Sequence, residues 1–144
     1  ILNSSFVNNT AVNLGGAIAA QSTAAMTIAN TTFSTNRNEN VGGAIAAAGS
    51  VDVDIFHSTF TKNSAANAGG AISNSLNSLQ LDGSIVVGNT IGAVGSNTLN
   101  DILSDVNVNS SFNVIGNAGS SGGLTDGANN NIVGRTAANV LHPT

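Results

Sequence analysis

Gly15-Gly16-Ala17-Ile18 returns as Gly42-Gly43-Ala44-Ile45 and again as Gly69-Gly70-Ala71-Ile72, a step of 27 residues each time (42 − 15 = 27; 69 − 42 = 27). Three further markers keep the same phase: Phe6, Phe33 and Phe60; Asn9, Asn36 and Asn63; and the aliphatics Ile1, Ile28 and Ile55. A unit this short cannot enclose its own apolar face, so it must bury that face against copies of itself. The repeat therefore restricts the chain to stacked architectures.

The pattern continues with its signature worn down. Leu81, Val86 and Asn89 stand 26 residues after Ile55, Phe60 and Asn63, and Val106 and Val108 stand 27 after Leu79 and Leu81. Phe112 stands 26 after Val86. In the fourth copy Asn97-Thr98-Leu99-Asn100-Asp101-Ile102 replaces Gly-Gly-Ala-Ile, and a looser last turn runs through Asn131-Ile132-Val133. This spacing predicts about five coils.

Within a copy the apolar period is 2. Met26-Thr27-Ile28-Ala29-Asn30 and Val51-Asp52-Val53-Asp54-Ile55 place aliphatics on one face and small or acidic residues on the other, the mark of a half-buried strand. Stacked in parallel about 4.8 Å apart, such strands line like residues into ladders. The expected inward ladders are Met26/Val53/Leu79/Val106 and Ile1/Ile28/Ile55/Leu81/Val108. Phe6/Phe33/Phe60/Val86/Phe112 would form a largely aromatic stack, and Asn9/Asn36/Asn63/Asn89 an amide ladder bonded from coil to coil. Gly15, Gly42 and Gly69 with their following glycines suit a bend with positive φ or a close backbone passage. A leucine-rich repeat would need its L-x-x-L-x-L-x-x-N pattern and a propeller longer units with aromatic markers; neither is present. The expected fold is all-β, a parallel β-helix of about five coils with 26–27 residues per coil, as one segment over residues 1–144.

Composition narrows the function. Charged residues make up 7% of the chain and net charge is −4, so the basic face that displaces phosphate counterions is missing and no nucleic-acid partner is expected. No apolar run reaches the roughly 18 residues of a membrane span. With no cysteine, a disulfide scaffold, a zinc finger and a cysteine nucleophile are excluded.

The units F-x-x-N…G-G-A-I resemble the repeats of bacterial right-handed parallel β-helix surface proteins. These include chlamydial polymorphic outer-membrane proteins and large secreted pectin-lyase-like proteins. Asn100-Asp101-Ile102, Ser111-Phe112-Asn113-Val114-Ile115-Gly116, Leu124-Thr125-Asp126-Gly127 and Asn131-Ile132-Val133-Gly134 are similar to the closing coils of the secreted group. There the last motif continues into an Asp-Pro-Leu run; here it reads Arg135-Thr136-Ala137-Ala138. The resemblance implies the right-handed form of the parallel β-helix and a secreted or cell-surface location. It does not fix an activity, because this fold carries adhesins, stalks and polysaccharide enzymes alike.

The candidate carboxylates are Glu39, Asp52, Asp54, Asp82, Asp101, Asp105 and Asp126. Asp52 and Asp54 share a strand face at a spacing that could suit a glycosidase pair, but Ser78 and Gln80 stack on them in the next coil and no basic partner aligns. Lys62, Arg37 and Arg135 fall in different phases of the repeat, which disfavours a lyase base. His57 aligns with Asn3 and Asn30 in a polar ladder, and His142 lies in the tail, so no metal site is expected. Gly119-Ser120-Ser121-Gly122-Gly123 fits G-x-S-x-G, with Asp126 and His142 following, but no helix pattern follows to make the strained elbow this motif needs.

The expected function is a non-catalytic structural or adhesive segment of a bacterial extracellular protein, with no cofactor. Surface carbohydrate or a host cell surface is the expected partner, with end-to-end homo-assembly as a further mode. A polysaccharide lyase or hydrolase fragment and a self-assembling fibre subunit are the rival readings. Ile1 already occupies the inward phase, and the chain has neither an initiating Met nor a signal-peptide pattern. A processed chain or a segment of a longer rod is therefore expected, since about five coils at roughly 4.8 Å each span only about 24 Å.

Overall fold

A computed structural model describes residues 1–21, 25–75 and 78–134. The chain winds as a right-handed parallel β-solenoid of about four turns, one fewer than the repeat spacing suggests. Its strands are two to four residues long and, apart from Thr98–Leu99, each pairs in parallel with its counterpart one coil away.

Four ladders of strands make the walls. The longest contains Ser5–Val7, Thr32–Ser34, Thr59–Thr61, Ile85–Val87, Val114–Ile115 and Ile132–Val133 and is called here the phenylalanine sheet. Its register sets Phe6 on Phe33, Phe33 on Phe60, and Phe60 on Val86. Met26–Ala29, Val53–Phe56 and Leu79–Asp82 form a second sheet that stacks Met26/Val53/Leu79 and Ile28/Ile55/Leu81. Ile18–Ala20, Ile45–Ala47, Ile72–Asn74 and Ile102–Leu103 form a third, with the isoleucines in one column. A short fourth ladder runs from Thr10–Ala11 through Arg37–Asn38 and Ser64–Ala65 to Thr90–Ile91. The inward side chains of these walls meet in one core that contains Ile28, Phe33, Ile45, Ile55, Phe60, Ile72, Leu81 and Val86.

Regularity stops after the fourth turn. Val86 pairs with Ile115, 29 residues on (115 − 86 = 29), and Ile115 pairs with Val133 only 18 further (133 − 115 = 18). These last turns add full strands only to the phenylalanine sheet; the second and third sheets continue as single bridges, Ser111 on Asp82 and Ser121 on Ile102. Thr98–Leu99 folds back antiparallel on Thr90–Ile91, so the fourth ladder closes with a hairpin instead of another coil.

Two expected placements are corrected by this change of step. Ile115, not Phe112, stands on Val86; Phe112 falls on the preceding bend and is 65% exposed. Val108 leaves the aliphatic ladder and is 81% exposed, while the Ser110 hydroxyl accepts the Leu81 N–H at 3.0 Å. The extra residues between Val106 and Asn113 displace both side chains from the phase that a 26- or 27-residue step assigns them. Val106 itself is buried in the core.

Candidate functional site: the intercoil ladders and the outward faces

The phenylalanine stack is the apolar spine. Phe6 and Phe33 lie with ring centroids 5.0 Å apart and Phe33 and Phe60 4.7 Å apart, each pair within 5° of parallel. Phe33 and Phe60 are fully buried, and Phe6 is partly covered. Parallel pairing one coil apart fixes this spacing, which is close to van der Waals contact between offset faces.

Beside it runs the amide ladder. The Asn9 backbone N–H and Nδ2 both donate to Asn36 Oδ1, at 3.0 and 2.9 Å. Asn36 repeats the pair onto Asn63 Oδ1, and Asn63 onto Asn89 Oδ1. The second Nδ2 hydrogen turns back to the preceding coil: Asn36 to Phe6 O, Asn63 to Phe33 O and Asn89 to Phe60 O. An amide buried this way uses both donors and its acceptor, which is why no other side chain substitutes there without an unpaired group.

The ladder ends on a residue that repeat counting does not align with it. Asp101 Oδ1 accepts the Asn89 N–H and Nδ2 at 3.1 and 2.8 Å, and Oδ2 accepts the Asn117 N–H at 2.9 Å. The carboxylate is fully buried. Burial pushes its pKa above the ordinary value; the hydrogen bonds from Asn89, Asn117 and Gly116 pull it back in part. A carboxylate only accepts, so it satisfies Asn89 without demanding a further acceptor, and the ladder can stop.

A second polar ladder lies two residues before the phenylalanines. The Thr31 N–H donates to Ser58 Oγ, Ser58 to Ser84 Oγ, Ser84 to Asn113 Oδ1 and Asn113 to Asn131 Oδ1. Each hydroxyl in turn donates to the carbonyl two residues back, Ala29, Phe56 and Asp82. The spacing of Thr31, Ser58 and Ser84 carries this signal in the sequence, but single hydroxyls are inconspicuous in a chain so rich in Ser and Thr.

The glycine pairs divide the two roles expected of them. Gly15, Gly42 and Gly69 take φ of 51°, 68° and 61°. At the second glycines a Cβ would lie 2.1 Å (Gly16), 2.0 Å (Gly43) and 2.4 Å (Gly70) from a carbonyl oxygen of the next coil. The Asn100 side chain takes over at the worn copy, where its Oδ1 accepts the Gly69 N–H at 2.9 Å.

The polar groups that could carry chemistry are dispersed. Asp54 stands opposite Gln80, and Asp52 is exposed on the same strand face. Asp82 is occupied by Gln80 Nε2 at 2.8 Å and by the Ser111 N–H and hydroxyl at 2.7 and 3.0 Å. Ser120 Oγ accepts the Asp101 N–H and the Ser121 hydroxyl donates to Leu124 O, so both serines of the G-x-S-x-G stretch serve the backbone. His142 and Arg135 lie outside the described residues. Among the described residues no three His, Asp or Glu side chains come close enough to hold a metal ion.

Two segments, residues 3–21 and 57–75, match the model of the Chlamydia polymorphic membrane protein repeat. Each contains one complete unit: Phe6, Asn9 and Gly15–Ile18 in the first, Phe60, Asn63 and Gly69–Ile72 in the second. No curated protein and no solved structure matches the chain. No helix among the described residues is long and apolar enough to cross a membrane. The repeat match points to a bacterial outer-membrane or surface protein, and the matched segments include Asn9 and Asn63 of the amide ladder and the glycine pairs at 15–16 and 69–70.

Proposed function

We propose that this chain is a non-catalytic structural and adhesive segment of a bacterial surface protein. One observation supports this above others: the recurrent polar residues of the repeat spend their hydrogen bonds on neighbouring coils. Asn36, Asn63 and Asn89 are fully buried, and Thr31, Ser58 and Ser84 nearly so. They hold successive coils in register and leave a surface of Thr, Ser, Asn and a few separated carboxylates with little charge, in which Val7, Val12, Val94, Val108 and Phe112 are also exposed.

The rival is a polysaccharide-cleaving segment, which needs two carboxyl groups across a groove or a base beside a bound cation. Incubation of the folded chain with neutral and acidic polysaccharides, followed for new reducing ends and for unsaturated ends, tests the reading. No release above a heat-inactivated control is expected. Saturable cleavage that falls when Asp54→Asn or Asp82→Asn is introduced would overturn it.

A further inference from the structure

We propose that the bend carrying His57, Gly83 and Phe112 is a contact site for neutral pyranose sugars; the proposal rests on the adhesive reading above. The column is defined by its backbone. The N–H groups of Asn3, Asn30, His57, Gly83 and Phe112 donate in turn to Ala29, Phe56, Asp82, Ser111 and Asn129, each acceptor being the residue just before the next member of the column. Every member is left-handed, with φ of 51°, 51°, 47°, 59° and 57°, and Asn130 follows at 59°.

Asn and Gly adopt this conformation at small cost, and they fill four of the six places. His is tolerated at positive φ, but Phe112 does not belong there on backbone grounds, because a bulky residue with φ of 57° is an outlier. Phe112 also leaves its ring 65% exposed, so burial within the molecule does not offset the strain. Between them Gly83 supplies a step without a side chain: a Cβ there would lie 2.6 Å from His57 Cδ2 and 3.1 Å from Nε2, so the imidazole lies over the Gly83 backbone. The His57 ring thus covers the Gly83 step, and the exposed Phe112 ring follows one coil further along the same outer edge of the rod.

The neighbouring groups select the ligand class. Asp82, immediately before Gly83, is fixed by Gln80 and Ser111 on the outward face. Its remaining Oδ2 lone pair and the Gln80 carbonyl can accept sugar hydroxyls, while an aromatic face takes the apolar C–H face of a pyranose. Ile85, 42% exposed, extends the apolar side. Asp54 and Asp82 would repel an anionic sugar, and neither Lys nor Arg belongs to the column. A neutral sugar fits this combination.

The test uses the whole chain with 13C-labelled Phe and Ile, titrated with cellohexaose, mannohexaose and chitohexaose, and with oligogalacturonate as the anionic counterpart. Saturable shifts of the Phe112 ring and Ile85 methyl signals with a neutral hexasaccharide are expected, with the buried Phe33 signals still. Phe112→Asn, which copies Asn3 and Asn30, should keep or raise the Tm and weaken binding by about tenfold or more. A folded chain that shifts with no neutral sugar, or a Phe112→Asn variant that binds as the wild type does, overturns the site and leaves the structural reading standing. Binding of oligogalacturonate alone also overturns it. Cleavage of a bound neutral sugar would support the site and overturn the non-catalytic reading instead.

Discussion

Phe33 sits between two parallel rings with no exposed surface, so Phe33→Ala removes both its burial and the packing of its neighbours. A loss of about 3–5 kcal/mol is expected in chemical denaturation. Asn36 is a sharper test of the amide ladder. Asn36→Asp keeps the acceptor for Asn9 but deletes the donors to Asn63 Oδ1 and Phe6 O, and buries a charge without a cationic partner. About 3 kcal/mol should be lost at neutral pH, and part of it recovered in acid as the carboxyl protonates. The same carboxylate is tolerated in Asp101 because nothing beyond it requires a donor. Its folded pKa lies above the ordinary value because of burial, so the folded state favours the protonated form. The stability Asp101 contributes is therefore present below its unfolded pKa of about 3.9 and is lost as pH rises through the folded pKa. Subtracting the pH–stability curve of Asp101→Asn from that of the wild type should show this decline in the acid range; a flat difference would mean that burial does not perturb the carboxyl.

At the level of elements, the close passage of coils depends on the second glycine of each pair. Gly43→Ala would set a Cβ 2.0 Å from Gly70 O and 2.6 Å from both N and O of Ser64, with only backbone to yield. Gly88 has the left-handed φ of 67° but open space around a Cβ. Gly43→Ala should cost about 3 kcal/mol or more and Gly88→Ala about 1 kcal/mol, measured by thermal melts of the two variants side by side. Equal losses would show that φ alone, not intercoil contact, explains the glycines. Sequence and structure agree over the three coils that keep the 27-residue step, because ladders there are set by equal spacing. They part where the step changes to 29 and then 18. Counting puts Phe112 on Val86, but residues 107–111 lengthen the turn and Ile115 arrives there instead. Asp101 escapes such counting for the same reason: the hairpin of Thr90–Ile91 with Thr98–Leu99 brings it back beneath Asn89 after only 12 residues. The first part of the aromatic bend is legible by equal spacing, which aligns His57 with Asn3 and Asn30; Gly83 and Phe112 join the column only once the backbone hydrogen bonds and positive φ are known.

For the whole molecule, stacking in register is the central claim, and it makes each coil the template for the next. The amide ladder has a direction, with donors running from Asn9 through Asn36, Asn63 and Asn89 to the Asp101 carboxylate. The absence of cysteine makes register open to direct chemical test. Thr32 and Thr59 are paired on neighbouring parallel strands, flanking the buried Phe33 and Phe60 on the outward side. Their Cα atoms are about 4.8 Å apart by strand geometry, inside the range of roughly 4.4–6.8 Å that a disulfide spans. Ile85 lies one coil beyond Thr59, about 9.6 Å from Thr32 and out of reach. Mild oxidation of Thr32→Cys/Thr59→Cys should close an intramolecular disulfide nearly completely without loss of the native circular dichroism, and Thr32→Cys/Ile85→Cys should stay reduced. A bridge that forms in the second variant and not in the first would contradict the 27-residue stacking register on which the ladders, the bend and the rod all depend.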